Sequence, residues 1–283
     1  MNAIFPQDFP DLLKDLLIPC FVQDAAARHA QDLSAYEDVF RRYAAEEKTL
    51  CRRDPAPMEL KAAHTMRVLE NTSLIAQEEH FPPETARACH LAALFHDISR
   101  FDQYRLWGTF RDRESCDHAE LSAFLLRKAG ILDQEPAAKA ILGAIALHNR
   151  RDLPEGPDDL ERTAACAVRD ADRLDIMRII DLHLSAKNGA DPDVIVPVPD
   201  DNALFSLSVI DSVMRRASAG YAEIRSANDF RLVVAGWFYL MRFGASRRLA
   251  AARGHARRLV EKLPQPYAEV RARLLADLDA AQR

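Results

Sequence analysis

Glycine is scarce in this chain of 283 residues, with nine in all, and runs of β-branched residues are rare. Strands and tight-turn architectures draw on those residues, so their scarcity, against an abundance of alanine and leucine, argues for an all-α protein. The one stretch that reads as extended, Val194 to Val198, is broken by prolines and reads as a loop. No charge of one sign dominates: the net charge is -5 with acids and bases interspersed, so no surface for wrapping nucleic acid is expected. The five cysteines, Cys20, Cys51, Cys89, Cys116 and Cys166, are odd in number and include no CxxC pair. That excludes a disulfide framework and a zinc-thiolate site, and it favours reduced thiols in a cytoplasmic protein. No apolar run approaches the roughly 20 residues that span a bilayer. The start, MNAIFPQDFPDLLK, lacks the basic and apolar segments of an export signal.

What is present is a series of helical blocks separated by prolines and acidic turns, with no internal repeat and no low-complexity segment. The blocks run from about Asp24 to Cys51, Met58 to His80, Pro83 to Asp97, His118 to Ala129, Pro136 to His148 and Leu160 to Lys187. Pro83 suits a first helical turn, where Glu84 meets the positive end of the dipole. After the loop NGADPDVIVPVPDDN, further helices are expected over Ala203 to Arg225, Asn228 to Arg253 and Pro266 onward. The arginine-rich piece RRLAAARGHARR, Arg247 to Arg258, reads as the solvated face of a helix. No linker points to an independent second domain, so residues 1–283 are expected to form one all-α domain.

Six residues able to ligate metal lie on or beside the apolar stripes of separate blocks. Helical spacing puts His64 with Val68 and Ile75, His118 with Leu121 and Leu125, His148 with Ile141 and Ile145, and Asp172 with Val168 and Ile176. His96 and Asp97 end the apolar run LAALF. A single histidine on such a stripe is commonly a core residue bonded to a carbonyl. Inward carboxylates without an equal supply of inward arginine or lysine are costly, and a metal site resolves the conflict.

These residues carry a resemblance. The order His64, the adjacent pair His96-Asp97 and a distal aspartate, in the contexts KAAHTMRVLENTSLIA, ALFHDISRF and VRDADRLDIMR, resembles the HD-domain metal-dependent phosphohydrolases. The resemblance covers about Met58 to Lys187 and implies an HD-like helical bundle, core 58–187, flanked by extra helices within 1–57 and 200–283. Asp170, Asp172 and Asp175 compete for the distal position. The family pattern assigns Asp172, which leaves Asp170 and Asp175 as supporting or solvent-facing residues. His118, in CDHAELSAFLL, and His148, in AIALHNRR, match the extra ligands of binuclear members. By that resemblance His64, His96, Asp97 and Asp172 hold one ion, while His118, His148 and a bridging Asp97 hold the second. Two departures stand out. Ser99 replaces a common glycine, and LHNRRDLPEG lacks the second histidine and GYP signature of cyclic-di-GMP phosphodiesterases.

Imidazole and carboxylate ligands without thiolate suit Mn, Fe, Co, Ni, Zn or Mg. Two such ions imply hydrolysis of a small phosphomonoester, nucleotide or phosphodiester by metal-bound hydroxide. Arg100, Arg150 and Arg151 follow ligands and are candidates to grip phosphate, with Arg100 ranked first beside Asp97 as catalytic. Arg150 and Arg151 read equally well as caps on a helix end. The segment YRLWGTFRDRESCDHAE is expected to loop over the site, with Thr109, Phe110 and Asp112 shaping the pocket. Tyr104 and Trp107 are available to stack on a base or to seal that loop onto the core. The same six ligands also serve di-iron oxygenases related to the family, and a non-catalytic module binding a nucleotide or partner is a third reading.

Overall fold

The computed structural model describes residues 32–156, 158–185, 198–217 and 219–282, and contains no strand among them. The expected start of the first helix at Asp24, Cys20, and most of the Val194–Val198 stretch lie outside the described residues. The architecture of the described residues is all-α. The described residues fall into two compact units that meet within one helix, between Arg169 and Asp170.

In the first unit, α1 (Leu33–Leu50) starts where Asp32 accepts the amide of Ser34, a side-chain cap that satisfies an otherwise orphaned donor. It ends at RRDPAP, and α2 (Ala56–Glu78) restarts from Pro55. Pro83 opens α3 (Pro83–Phe95), as its missing amide and fixed φ allow. A short α4 (Arg100–Trp107) follows the His96-Asp97 corner and stops at Gly108, whose φ of 71° is the left-handed geometry glycine tolerates. The expected loop from Tyr104 therefore begins only after Trp107, because this glycine, and not the preceding polar residues, ends the helix. The loop contains one 3-10 turn, Asp112–Glu114. Asp117 caps α5 (His118–Ala129) by accepting the amides of Ala119 and Glu120, and Gly130 terminates it. α6 (Ala138–Leu147) and the long α7 (Asp159–Ser185) complete the sequence, and α7 carries the boundary between the units.

α3 is the central member: it packs on α1, α2 and α6, and every residue from Leu91 to Ser99 is buried. Ala92 and Ala93 keep that flank thin while Phe95 meets Tyr36 edge-on at 6.3 Å. Phe101 of α4 makes a similar contact with Phe40 at 5.9 Å. Each such side chain contributes roughly 1.5–3 kcal/mol by leaving water, which fixes the end of α3 and with it the His96-Asp97 corner.

The second unit holds the later part of α7, then α8 (Leu207–Met214), α9 (Ala227–Gly236), α10 (Gly244–Arg253), α11 (His255–Glu261) and α12 (Ala268–Ala281). The helix expected over Ala203 to Arg225 is shorter, since the chain leaves it at Arg216 with a φ of 57°. The one expected over Asn228 to Arg253 is cut in two by a 3-10 turn, Trp237–Leu240, where Asp170 accepts the amides of Arg242 and Phe243. RRLAAARGHARR likewise spans two helices broken at Gly254 (φ 73°), with Ala250, Ala251 and Ala256 buried beneath the arginines. No described helix is long and apolar enough to cross a membrane.

Candidate metal centre

The Asp97 carboxylate is the hub of the first unit. It is 3 % exposed, and its two oxygens face different company. Oδ2 lies 3.5 Å from His96 Nε2, 3.9 Å from His64 Nε2 and 2.7 Å from Lys61 Nζ. Oδ1 lies 3.4 Å from His118 Nε2, 3.7 Å from His148 Nε2 and 3.4 Å from Arg100 Nε. Each oxygen thus meets two imidazoles and one cationic side chain. The four histidines reach it from α2, the end of α3, the start of α5 and the end of α6, and all are buried.

Hydrogen bonds behind the rings decide which nitrogen faces inward. His96 Nδ1 lies 2.7 Å from the Ala93 carbonyl, and His148 Nδ1 lies 2.7 Å from the Ile145 carbonyl. A carbonyl can only accept, so both Nδ1 atoms carry the proton, and in the neutral form of each ring Nε2 is the nitrogen that presents a lone pair. His118 Nδ1 donates to Asp112 Oδ2 at 2.6 Å, and its Nε2 accepts from Arg100 at 3.3 Å. His118 Nε2 and His148 Nε2 stand 3.1 Å apart beside a carboxylate oxygen, and with His148 neutral both are acceptors. Arg100 offsets part of that crowding of lone pairs, and Nδ1 locked by a carbonyl or carboxylate is the usual support of a metal-ligating imidazole. The donor set therefore fits divalent metal. His96, Asp97 and His148 alone place three ligand atoms within 4.8 Å of one another.

The electrostatics agree. Burial pushes the His118 ring down to about 4, aided by the Arg100 charge and opposed by Asp112 and Asp97, so it is neutral and able to ligate at neutral pH. Burial works against ionisation of Asp97. Lys61, His96 and Arg100 outweigh it and hold the carboxyl well below the usual range. Burial likewise opposes ionisation of Asp112, yet its bond from His118 and the Arg100 charge bring it to about 2.

The other expected residues are placed as follows. Arg100 is anchored: besides Asp97 and His118, its guanidinium donates to Gln103 at 2.7 Å, to Asp112 at 3.0 Å and to the Phe110 carbonyl. Arg150 is drawn to Asp117 at 3.1 Å and Glu120 at 2.8 Å on the surface of α5, so its charge is spent there and not on the centre. Arg151 is exposed, and Thr109 uses its hydroxyl to accept the Arg111 amide within the loop. Trp107 packs on Cys116, Leu121 and Leu125, while Tyr104 lies against Phe110 at 5.1 Å, so both aromatics seal the loop. Asp172 lies half-buried on α7 in the second unit. Asp170 and Asp175 are buried there and not solvent-facing, the first bonded to main-chain amides and the second paired with Arg178 at 2.7 Å. Lys61 was not singled out by the sequence, although it stands one helical turn before His64, a spacing that puts the two on one face.

Residues 62–177 match the family model described as HD domain. Comparison with curated proteins and with solved structures returned no match.

Proposed function

We propose that this chain, which carries an HD domain over residues 62–177, is a metal-dependent phosphohydrolase with a two-ion centre bridged by Asp97. The observation that carries the reading is the division of the Asp97 carboxylate, each oxygen flanked by two inward-facing imidazoles. His64 and His96 would hold one ion, and His118 and His148 the other. When bound, the ions supply an activated water and Lewis-acid charge for attack on phosphorus.

The chain's own contribution is orientation. Asp112, the Ala93 carbonyl and the Ile145 carbonyl fix three imidazole tautomers before any ligand arrives. Arg100 sets a fixed positive charge at the Oδ1 corner, suited to the phosphate of a small monoester, nucleotide or diester. Ser, Cys or His nucleophiles are not required.

The test is phosphate release from a panel of phosphomonoesters, nucleotides and diesters in Mn, Co or Ni. Turnover of at least one class is expected, with Asp97→Asn losing it. A metal-loaded protein that turns over none of them sinks the reading.

A further inference from the structure

We propose that Lys61 is a placeholder cation: its ammonium holds the Oδ2 corner of Asp97 until a divalent ion takes that oxygen, and it then turns to the substrate phosphate. The inference rests on the phosphohydrolase reading and adds a residue and a coupling to it.

Two side-chain cations touch Asp97, and they are not equivalent. Arg100 is tied by Gln103, Phe110, Asp112 and His118, so it cannot leave without dismantling the loop that holds His118. Lys61 has Asp97 as its one hydrogen-bond partner among the described residues, at 2.7 Å, and otherwise rests 5.7 Å from the centre of the Phe110 ring. Its side chain is 20 % exposed on a flexible four-carbon stem, which allows the ammonium to swing without moving α2.

The corner it occupies is the one His64 and His96 also face. An ion held there would compete with the ammonium for the same oxygen, so the two positive charges repel and one must yield. Displaced, Lys61 stays beside Phe110 and near Arg100, whose guanidinium lies 6.0 Å from the same ring. Two positive groups, each about 6 Å from the centre of one aromatic ring, then stand beside Asp97, a setting for a phosphate dianion with lysine as a mobile point charge. Phosphate binding and metal loading become linked, each favouring the other.

The experiment compares wild-type protein with Lys61→Met and Lys61→Gln, with folding checked by circular dichroism. Mn(II) binding is followed by titration calorimetry and EPR, and inorganic phosphate binding is measured on the Mn-saturated forms. Removing the competing ammonium is expected to tighten Mn(II) binding roughly fivefold to tenfold and to weaken phosphate binding about tenfold or more. Lys61→Arg is expected to keep phosphate binding. Unchanged or weaker Mn(II) binding in both neutral variants overturns the inference, as does unchanged phosphate affinity. Wild-type protein that binds no Mn(II) overturns the metal-centre reading itself, a separate result.

Discussion

The hydroxyl of Ser99 donates to the main-chain oxygen of His118 at 2.7 Å and accepts from Ser122 Oγ at 3.0 Å, while the Ser99 amide donates back to Ser122. The residue that replaces a common family glycine is thus a staple between the His96-Asp97 corner and the first turn of α5. It is fully buried, and its φ of -72° asks for no glycine. Ser99→Ala removes the staple and leaves the buried Ser122 hydroxyl short of an acceptor, a loss of about 1–3 kcal/mol. A denaturation midpoint equal to wild type contradicts this.

The two corners of Asp97 predict separable ion losses. His118→Ala or His148→Ala is expected to reduce bound Mn(II) from about two ions per chain to about one. His64→Ala should spare the opposite ion, and Asp97→Asn should lose both. Elemental analysis after desalting decides, and loss of both ions in every variant argues against a bridge.

The pH dependence has a definite sign. His118 is held at about 4 against an ordinary 6.5, so the folded protein refuses a proton that the unfolded chain accepts. Its contribution is complete above about 6.5 and is lost as the pH falls toward 4, on the order of 3 kcal/mol for the metal-free protein. Asp112, held at about 2 against 3.8, extends the loss to lower pH, because a depressed carboxyl stabilises only while ionised. Chemical denaturation of metal-free protein between pH 4 and pH 7 measures this. His118→Asn should flatten the curve, and an unaltered slope would count against the assignment.

Arg100→Lys is expected to behave as a loss and not as a conservative change. A lysine cannot reach the Phe110 carbonyl, Gln103 and Asp112 together while keeping contact with Asp97. Displacing the loop that seats His118 should lower kcat on the order of 100-fold, with Mn(II) still bound at the His64 and His96 corner. Near-wild-type turnover in this variant would show that the anchor is dispensable.

How much could be read beforehand depended on whether a signal was local. The bounds His118 and Ala129 of α5 were legible because Asp117 caps and Gly130 stops the helix within its own sequence. The inward histidines were legible from their spacing with neighbouring leucines, isoleucines and valines. What escaped was pairing across distance. Lys61 and Asp97 are 36 residues apart, and no periodicity links them. Arg150 looked like a phosphate ligand because nothing near it in the chain reveals that Glu120, 30 residues earlier, claims it. Of the breaks that divide the C-terminal helices, Gly254 is marked by its residue type, but two others fall where Arg216 adopts a left-handed backbone and Asp170 bonds amides more than 70 residues away, and neither leaves a mark in composition.

The pairing of Asp97 with its own lysine and arginine has a consequence for the protein's life history. The buried Asp97 carboxylate is already compensated by groups covalently part of the chain, so the bundle is expected to reach its native state without an ion. This is the reverse of small zinc modules, whose folding waits on their metal. A chelator-stripped sample should therefore melt cooperatively, and the choice of ion should follow from what the finished protein meets, settled by exchange and supply after synthesis.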